Sequence, residues 1–196
     1  MDVLKYPNPL LSLTCHPLKR VDAELLAMIE EMFEIMYRAK GVGLAANQVG
    51  LPYRLFIMNP SGDMEKKEQE CVFINPEVTL GSGKPIKDEE GCLSFPKIYA
   101  EVLRAPKVTV RAYDHKGNEI HERYEGFAAR IIQHEYDHLD GVSFIEHIEE
   151  EDVEDIELEA DLGELEKTFK QQRAAGEVPP EDEMRKRWDE LRKQRT

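Results

Sequence analysis

Two histidines four residues apart, His134 and His138, bracket a glutamate at position 135 in Gln133-His134-Glu135-Tyr136-Asp137-His138. On a helix such a spacing puts both imidazoles on one face, with Cβ atoms about 5–6 Å apart, so that both can reach one metal ion. Glu135 would then project beside the metal, where it can take a proton from a bound water. These are the groups that metal-assisted hydrolysis of an unreactive bond requires. Short patterns also recur by accident, so a polar helix carrying two histidines by chance stays open at this point.

A catalytic zinc or iron site needs three protein ligands and one open position. A histidine six residues after the second is one source of the third ligand, but Phe144 stands there. A glutamate roughly twenty residues downstream is another; Glu154, Glu157 and Glu159 all offer it, which would make the chain a metallopeptidase. Upstream, Cys92 in Glu90-Gly91-Cys92-Leu93-Ser94-Phe95-Pro96 offers a thiolate, a strong ligand for Zn²⁺ or Fe²⁺. Most free cysteines, however, are small buried core residues. A structural metal site would need a fourth ligand, and none is evident. A third segment, Gly41-Val42-Gly43-Leu44-Ala45-Ala46-Asn47-Gln48-Val49-Gly50, reads as a turn whose small residues let a substrate backbone approach, or as a tightly packed helix end. It lacks the Gly-Lys-Ser/Thr end of a phosphate loop and the glycine spacing of a dinucleotide site.

The elements that must carry these groups can be read from periodicity. Asp22 caps a helix with an apolar stripe at Leu25, Ile29, Met32, Phe33 and Met36, and Gly41 suits its end. Residues 53–58 form a buried strand. Residues 71–74 and 78–80 form two more, split by Asn75-Pro76. Residues 107–113 and 119–124 alternate on either side of an Asp114–Asn118 turn and make a hairpin. After Gly126 a helix runs from Phe127 to Leu139 and carries both histidines. Strands mostly precede one central helix, so the class is α+β, not alternating βαβ. Phe127 and Ile131 share the face of His134.

With 196 residues, one domain of ordinary size is expected, catalytic over residues 1–148, with a charged helical extension over 149–196. The net charge of −14 argues against broad affinity for nucleic acid. It lies mostly in the tail, acidic from Glu149 to Glu166 and basic at Arg185, Lys186, Arg187, Arg192, Lys193 and Arg195. The sparse apolar residues of this stretch suggest an appendage. No stretch approaches the ~20 apolar residues of a membrane span, and the first residues lack the features of a secretory signal. Cys15, Cys71 and Cys92 make an odd count without framework spacing, so reduced thiols and a cytoplasmic location are expected.

Taken in order, the three segments resemble the motifs of peptide deformylase: Gly-apolar-Gly-apolar-Ala-Ala-x-Gln, then Glu-Gly-Cys-Leu-Ser, then Gln-His-Glu-x-x-Asp-His. All three are matched in full, and the similarity spans about residues 3–148. The resemblance implies that Cys92, His134 and His138 hold a metal and that Glu135 is the general acid/base. It further implies an oxyanion hole made of Gln48 and the Leu93 N–H, with Gly43 along the peptide and Glu90 holding the site together. The metal implied is Fe²⁺ in the cell, for which Zn²⁺, Ni²⁺ or Co²⁺ can substitute. The substrates implied are N-formylmethionyl nascent polypeptides, and the basic end of the tail is a candidate for transient ribosome contact. The implied fold is α+β, with antiparallel strands packed around the His-Glu-x-x-His helix, an N-terminal helix and a helical C-terminal tail. Phe127, Ile131 and Val42 would line a methionine pocket. Arg130 falls where the family often has an aliphatic residue, and its head group should reach solvent or an acidic partner. Tyr99 replaces a basic residue found in some members.

Overall fold

The computed structural model describes residues 1–148 and 156–196. Helix α1 (Ala23–Arg38) starts where expected, with the Asp22 carboxylate accepting from Leu25 N–H at 2.9 Å. Its stripe Leu25, Ile29, Met32, Phe33 and Met36 is buried. The helix ends one residue earlier than Gly41 suggests. Lys40 takes the left-handed position, with Lys40 N–H donating to Tyr37 O and Gly41 N–H to Met36 O, the bond pattern of a Schellman cap. Gly41 is needed for a different reason. A Cβ there would lie 2.7 Å from Leu93 Cδ1, so the glycine lets the Cys92 loop close onto the helix end.

Five antiparallel strands form the main sheet, in the order β1 (Gly43–Ala45), β2 (Leu55–Met58), β3 (Cys71–Leu80), β6 (Lys107–Tyr113) and β7 (Glu119–Glu125). The two strands expected at 71–74 and 78–80 are one. The register slips between Ile74 and Glu77, so Pro76, which has no N–H to give, sits in a bulge. Asn75 adopts φ 51° there, and its amide bonds Leu18 N and Leu18 O at 2.8 Å each.

Strand β2 is buried on both faces because helices cover the sheet from either side. Leu55 and Ile57 pack with α1, whereas Phe56 and Met58 pack with Ala129, Ile131 and Ile132 of α2 (Gly126–Leu139). Phe56 stacks on Phe73 of β3 at 4.7 Å between ring centres. Each such side chain taken out of water contributes about 1.5–3 kcal/mol, enough to hold α2 rigidly beneath the edge strand β1.

A second sheet, which the periodicity does not reveal, is the hairpin of β4 (Ile86–Cys92) and β5 (Phe95–Arg104). Two of its inward positions are Glu90 and Arg104, which neutralise each other, so the usual apolar alternation is broken. Ile98 and Val102 of β5 bury against Phe95 and Phe144.

The tail is not a loose appendage. Helix α3 (Ile156–Ala174) rests Leu158, Leu162 and Leu165 against that cluster. In α4 (Glu181–Arg195), Met184 and Trp188 join the core beside α2. Arg195 is buried, bonded to Tyr53 Oη at 3.2 Å and to the carboxylates of Asp22 and Glu24. The expected boundary after residue 148, like Glu154, lies among residues outside the described ones.

Candidate metal centre

Helix α2 and the turn of the β4–β5 hairpin converge. His134 and His138 lie four residues apart on the buried side of α2, with ring centres 5.0 Å apart. Cys92 is the last residue of β4, paired across a two-residue Leu93-Ser94 turn with Phe95. Its Sγ is 3.2 Å from His138 Nε2. Among the described residues, Cys92, His134 and His138 form a group whose ligand atoms all lie within 4.8 Å of one another. A thiolate and two imidazoles are a donor set that suits Zn²⁺ or Fe²⁺. The thiol is prepared for that role: burial would push its pKa up, but the adjacent His138 and His134 win and hold it well below the ordinary value. The residues therefore fit a metal. Of the tail glutamates, Glu159 is exposed on α3, and the side chains of Glu154 and Glu157 lie outside the described residues, so among the described residues it is Cys92 that completes the group with the two histidines.

Behind the histidines lies a charged cluster. His134 Nδ1 is 3.0 Å from Glu90 Oε2; donating that proton leaves Nε2 to face Cys92. Glu90 also accepts from Arg104 Nε at 2.9 Å, Arg104 Nη2 at 3.1 Å and Arg130 Nη1 at 2.7 Å. Burial alone would raise the Glu90 pKa, yet His134 and Arg104 bring it down to about 2. Arg104 extends the chain to Asp137 at 2.5 Å, which in turn meets His147 Nε2 at 2.9 Å. Arg104 was not singled out from the sequence. Its one signal is a lone basic residue closing the alternating run Ile98, Ala100, Val102, Arg104. Asp137 sits in the third motif, three residues after His134 and so on the same helical face.

Arg130 finds the acidic partner expected of a buried arginine, and that partner is Glu90. The guanidinium also donates to Val102 O at 2.9 Å and Ile86 O at 2.7 Å, tying both strands of the hairpin to α2.

On the other side of the triad, Glu135 is buried, and its Oε2 has no hydrogen-bond partner among the described residues. Burial pushes its pKa up to about 7, against the pull of His134 and His138. A Cβ at Gly43 would collide with this carboxylate and come within 2.9 Å of Ile131 Cγ2, so only glycine fits that point of β1. Gln48 Oε1 accepts from Ala45 N–H at 2.8 Å. This fixes the amide so that Nε2 points at Cys92 Sγ (3.4 Å) and Ser94 Oγ (3.2 Å). Lys5 Nζ holds the Leu93 carbonyl at 2.6 Å. Ser94 closes the second motif but is given no role there, and Lys5 carries no signal in sequence; each acts only through the folded turn.

Lys5, Gln48, Glu90, Cys92, Leu93, His134 and Glu135 border one open cavity of about 640 Å³, lined also by Val42, Gly43, Phe127, Arg130 and Ile131. The structure thus brings together the site residues that the family resemblance implies, with His138 just behind Cys92.

Comparison with known proteins agrees with this geometry. The family model for polypeptide deformylase matches residues 1–154. A peptide deformylase of Rhodopirellula baltica is 41% identical over 181 residues, covering 92% of this chain and 88% of that protein. An alignment of that length runs well past residue 148, so the similarity extends further than the three motifs suggested. A chloroplastic peptide deformylase 1B of Oryza sativa is 38% identical, covering 92% of this chain and 65% of its own length. The crystal structure of a Plasmodium falciparum peptide deformylase superposes with a TM-score of 0.82 at 36% identity, covering 87% of this chain and 98% of that one. On motif, fold and overall likeness together, this chain belongs to the polypeptide deformylase family, the enzymes that remove N-formyl groups from nascent polypeptides.

Proposed function

We propose that the chain hydrolyses the formyl amide of N-terminal formyl-methionine using Cys92, His134 and His138 as ligands of one divalent metal ion, with Glu135 moving the proton. The convergence of that triad with a buried, unpartnered carboxylate in one cavity carries the reading. A divalent ion held there polarises a carbonyl and lowers the pKa of water to about 7. Glu135 takes a proton from water as its oxygen attacks the formyl carbon. It then gives that proton to the amine nitrogen as the C–N bond breaks and formate leaves. A carboxyl poised near neutrality suits both halves of that task. Gln48 Nε2 and the Leu93 N–H hold the oxygen that becomes negative; losing one such donor typically lowers kcat by about 10²–10³. Val42, Gly43, Ile131 and Phe127 receive the methionine, with the stem of Arg130 at the wall. Glu90 holds His134 in orientation.

The metal we assign in the cell is Fe²⁺, with Zn²⁺, Ni²⁺ and Co²⁺ as functional substitutes, and the location is the cytoplasm. Among the described residues no helix is long and apolar enough to cross a membrane. Catalysis belongs to residues 1–148, with 149–196 a charged extension. Purified anaerobically with Fe²⁺, the protein should release formate from formyl-Met-Ala and leave acetyl-Met-Ala intact, because a methyl group clashes where the formyl hydrogen fits. Cleavage of internal peptide bonds without formate release would sink this reading.

Transient ribosome contact is assigned to the exposed Arg185, Lys186, Arg187 and Lys193, since the buried Arg195 is committed to Asp22 and Glu24. Deleting α4 is a poor test, as it would strip Met184 and Trp188 from the core. The triple variant Arg185→Glu, Lys186→Glu, Arg187→Glu should instead weaken co-sedimentation with ribosomes at low salt, as phosphate contacts do. Unchanged binding disposes of the contact and leaves a solvated helix.

A further inference from the structure

Non-glycine residues with positive φ are uncommon and, when observed, invite a functional reason. Among the described residues there are three: Lys40 (φ 58°), Asn75 (φ 51°) and Lys97 (φ 69°). Asn75 is accounted for by its two bonds to Leu18. The other two are lysines, and both line the mouth of the catalytic cavity. Lys40 closes α1, where a cation is favourable. Lys97 has no helix end to serve. It stands in the bulge where the hairpin register jumps from Gly91↔Tyr99 to Cys92↔Phe95, a place suited to glycine. Both side chains are exposed, and neither ammonium forms an ion pair among the described residues.

The charge of the mouth is opposite to that of the chain. Its exposed charged residues are Lys5, Lys40, Lys97 and Glu89, a balance of three positive to one negative, in a protein of net charge −14. The carboxylate of Glu90 does not offset this, because Arg104 and Arg130 already neutralise it inside. Two aromatic side chains left open to solvent, Tyr99 at 65% and Phe127 at 57%, border the same opening, the kind of surface that marks a contact site. We propose that Lys97 and Lys40 select formyl peptides with an acidic side chain shortly after the formyl-methionine. This inference rests on the deformylase reading of the cavity and adds to it a substrate class. The lysines hold the carboxylate as the peptide leaves the mouth, and the backbone strain at Lys97 persists because the cation is useful there.

The test compares formyl-Met-Ala-Glu amide with formyl-Met-Ala-Gln amide, and likewise with the acid at the second residue, at low ionic strength. An exposed ion pair accounts for about a two- to fivefold ratio, so the two lysines together should favour the better acidic peptide about tenfold in kcat/KM. In 1 M salt, where screening acts over about 3 Å, the ratio should fall toward one. Lys97→Gln and Lys40→Gln should each remove about two- to fivefold of it, and Lys97→Glu should reverse the Lys97 share. Lys97→Gly guards against misfolding: it accepts the left-handed backbone, so it should raise Tm while still lowering the ratio. A wild-type ratio of one at both positions, or a ratio that survives both lysine replacements, overturns the proposal. If neither peptide releases formate, the deformylase reading fails; if both do so equally, only the charge selection fails.

Discussion

Replacing Glu135 with glutamine is expected to leave the metal in place and lower turnover by about 10²–10⁴-fold, the usual share of a general acid/base. The two side chains have the same shape, so the close fit against Gly43 and Ile131 is retained. The change removes the carboxylate that we assign to accept and return the proton. Glu135 is separate from the Cys92, His134 and His138 group, so metal content measured by mass spectrometry should match that of the unaltered protein. A metal-free Glu135→Gln protein would make Glu135 a ligand and require a different proton carrier. Full turnover with full metal would move acid/base chemistry elsewhere in the cavity.

Part of the site we assign to catalysis is legible because its chemistry depends on short-range spacing. His134, Glu135 and His138 follow from helical geometry. Cys92 and Gln48 do not: the thiolate chemistry of Cys92 makes it one candidate among several, and the match of both segments to a family pattern is what selects them. What escaped was everything that depends on two distant segments meeting. Arg104 looks like one more charge on a polar stretch until β5 folds it against Glu90, which lies 14 residues earlier on β4. The same pairing hid the hairpin itself, since buried opposite charges imitate a solvated strand. Lys40 and Gly41 divide what the sequence assigned to one residue. The cap geometry falls on Lys40, while Gly41 is reserved for the approach of Leu93. The tail misleads for a related reason. Met184 and Trp188 are a sparse apolar signal, but they lie on one face of α4, and the core has a place for them.

Arg130 shows what this kind of burial implies for stability. An aliphatic residue at that position would suit a methionine pocket, yet Arg130→Ile should cost this protein about 3 kcal/mol, the lower end of the range for breaking a buried ion pair. The lower end applies because Glu90 keeps Arg104 and His134 as partners. The loss is not of charge alone. The carbonyls of Ile86 and Val102, one from each strand of the hairpin, both lose the guanidinium as donor. For a chain of this size the Tm should fall by roughly 6–12 °C, at about 2–4 °C per kcal/mol. Because the same guanidinium ties the hairpin bearing Cys92 to the helix bearing His134 and His138, metal should also dissociate faster in a chelator challenge. Arg130→Lys should recover only part of both losses, since an ammonium cannot reach Glu90 and two carbonyls with one planar fork. If Arg130→Ile melts and holds metal like the unaltered protein, the Arg130–Glu90 pair contributes nothing. In that case Arg104 and His134 sustain Glu90, and the role of Arg130 is confined to the wall of the methionine pocket.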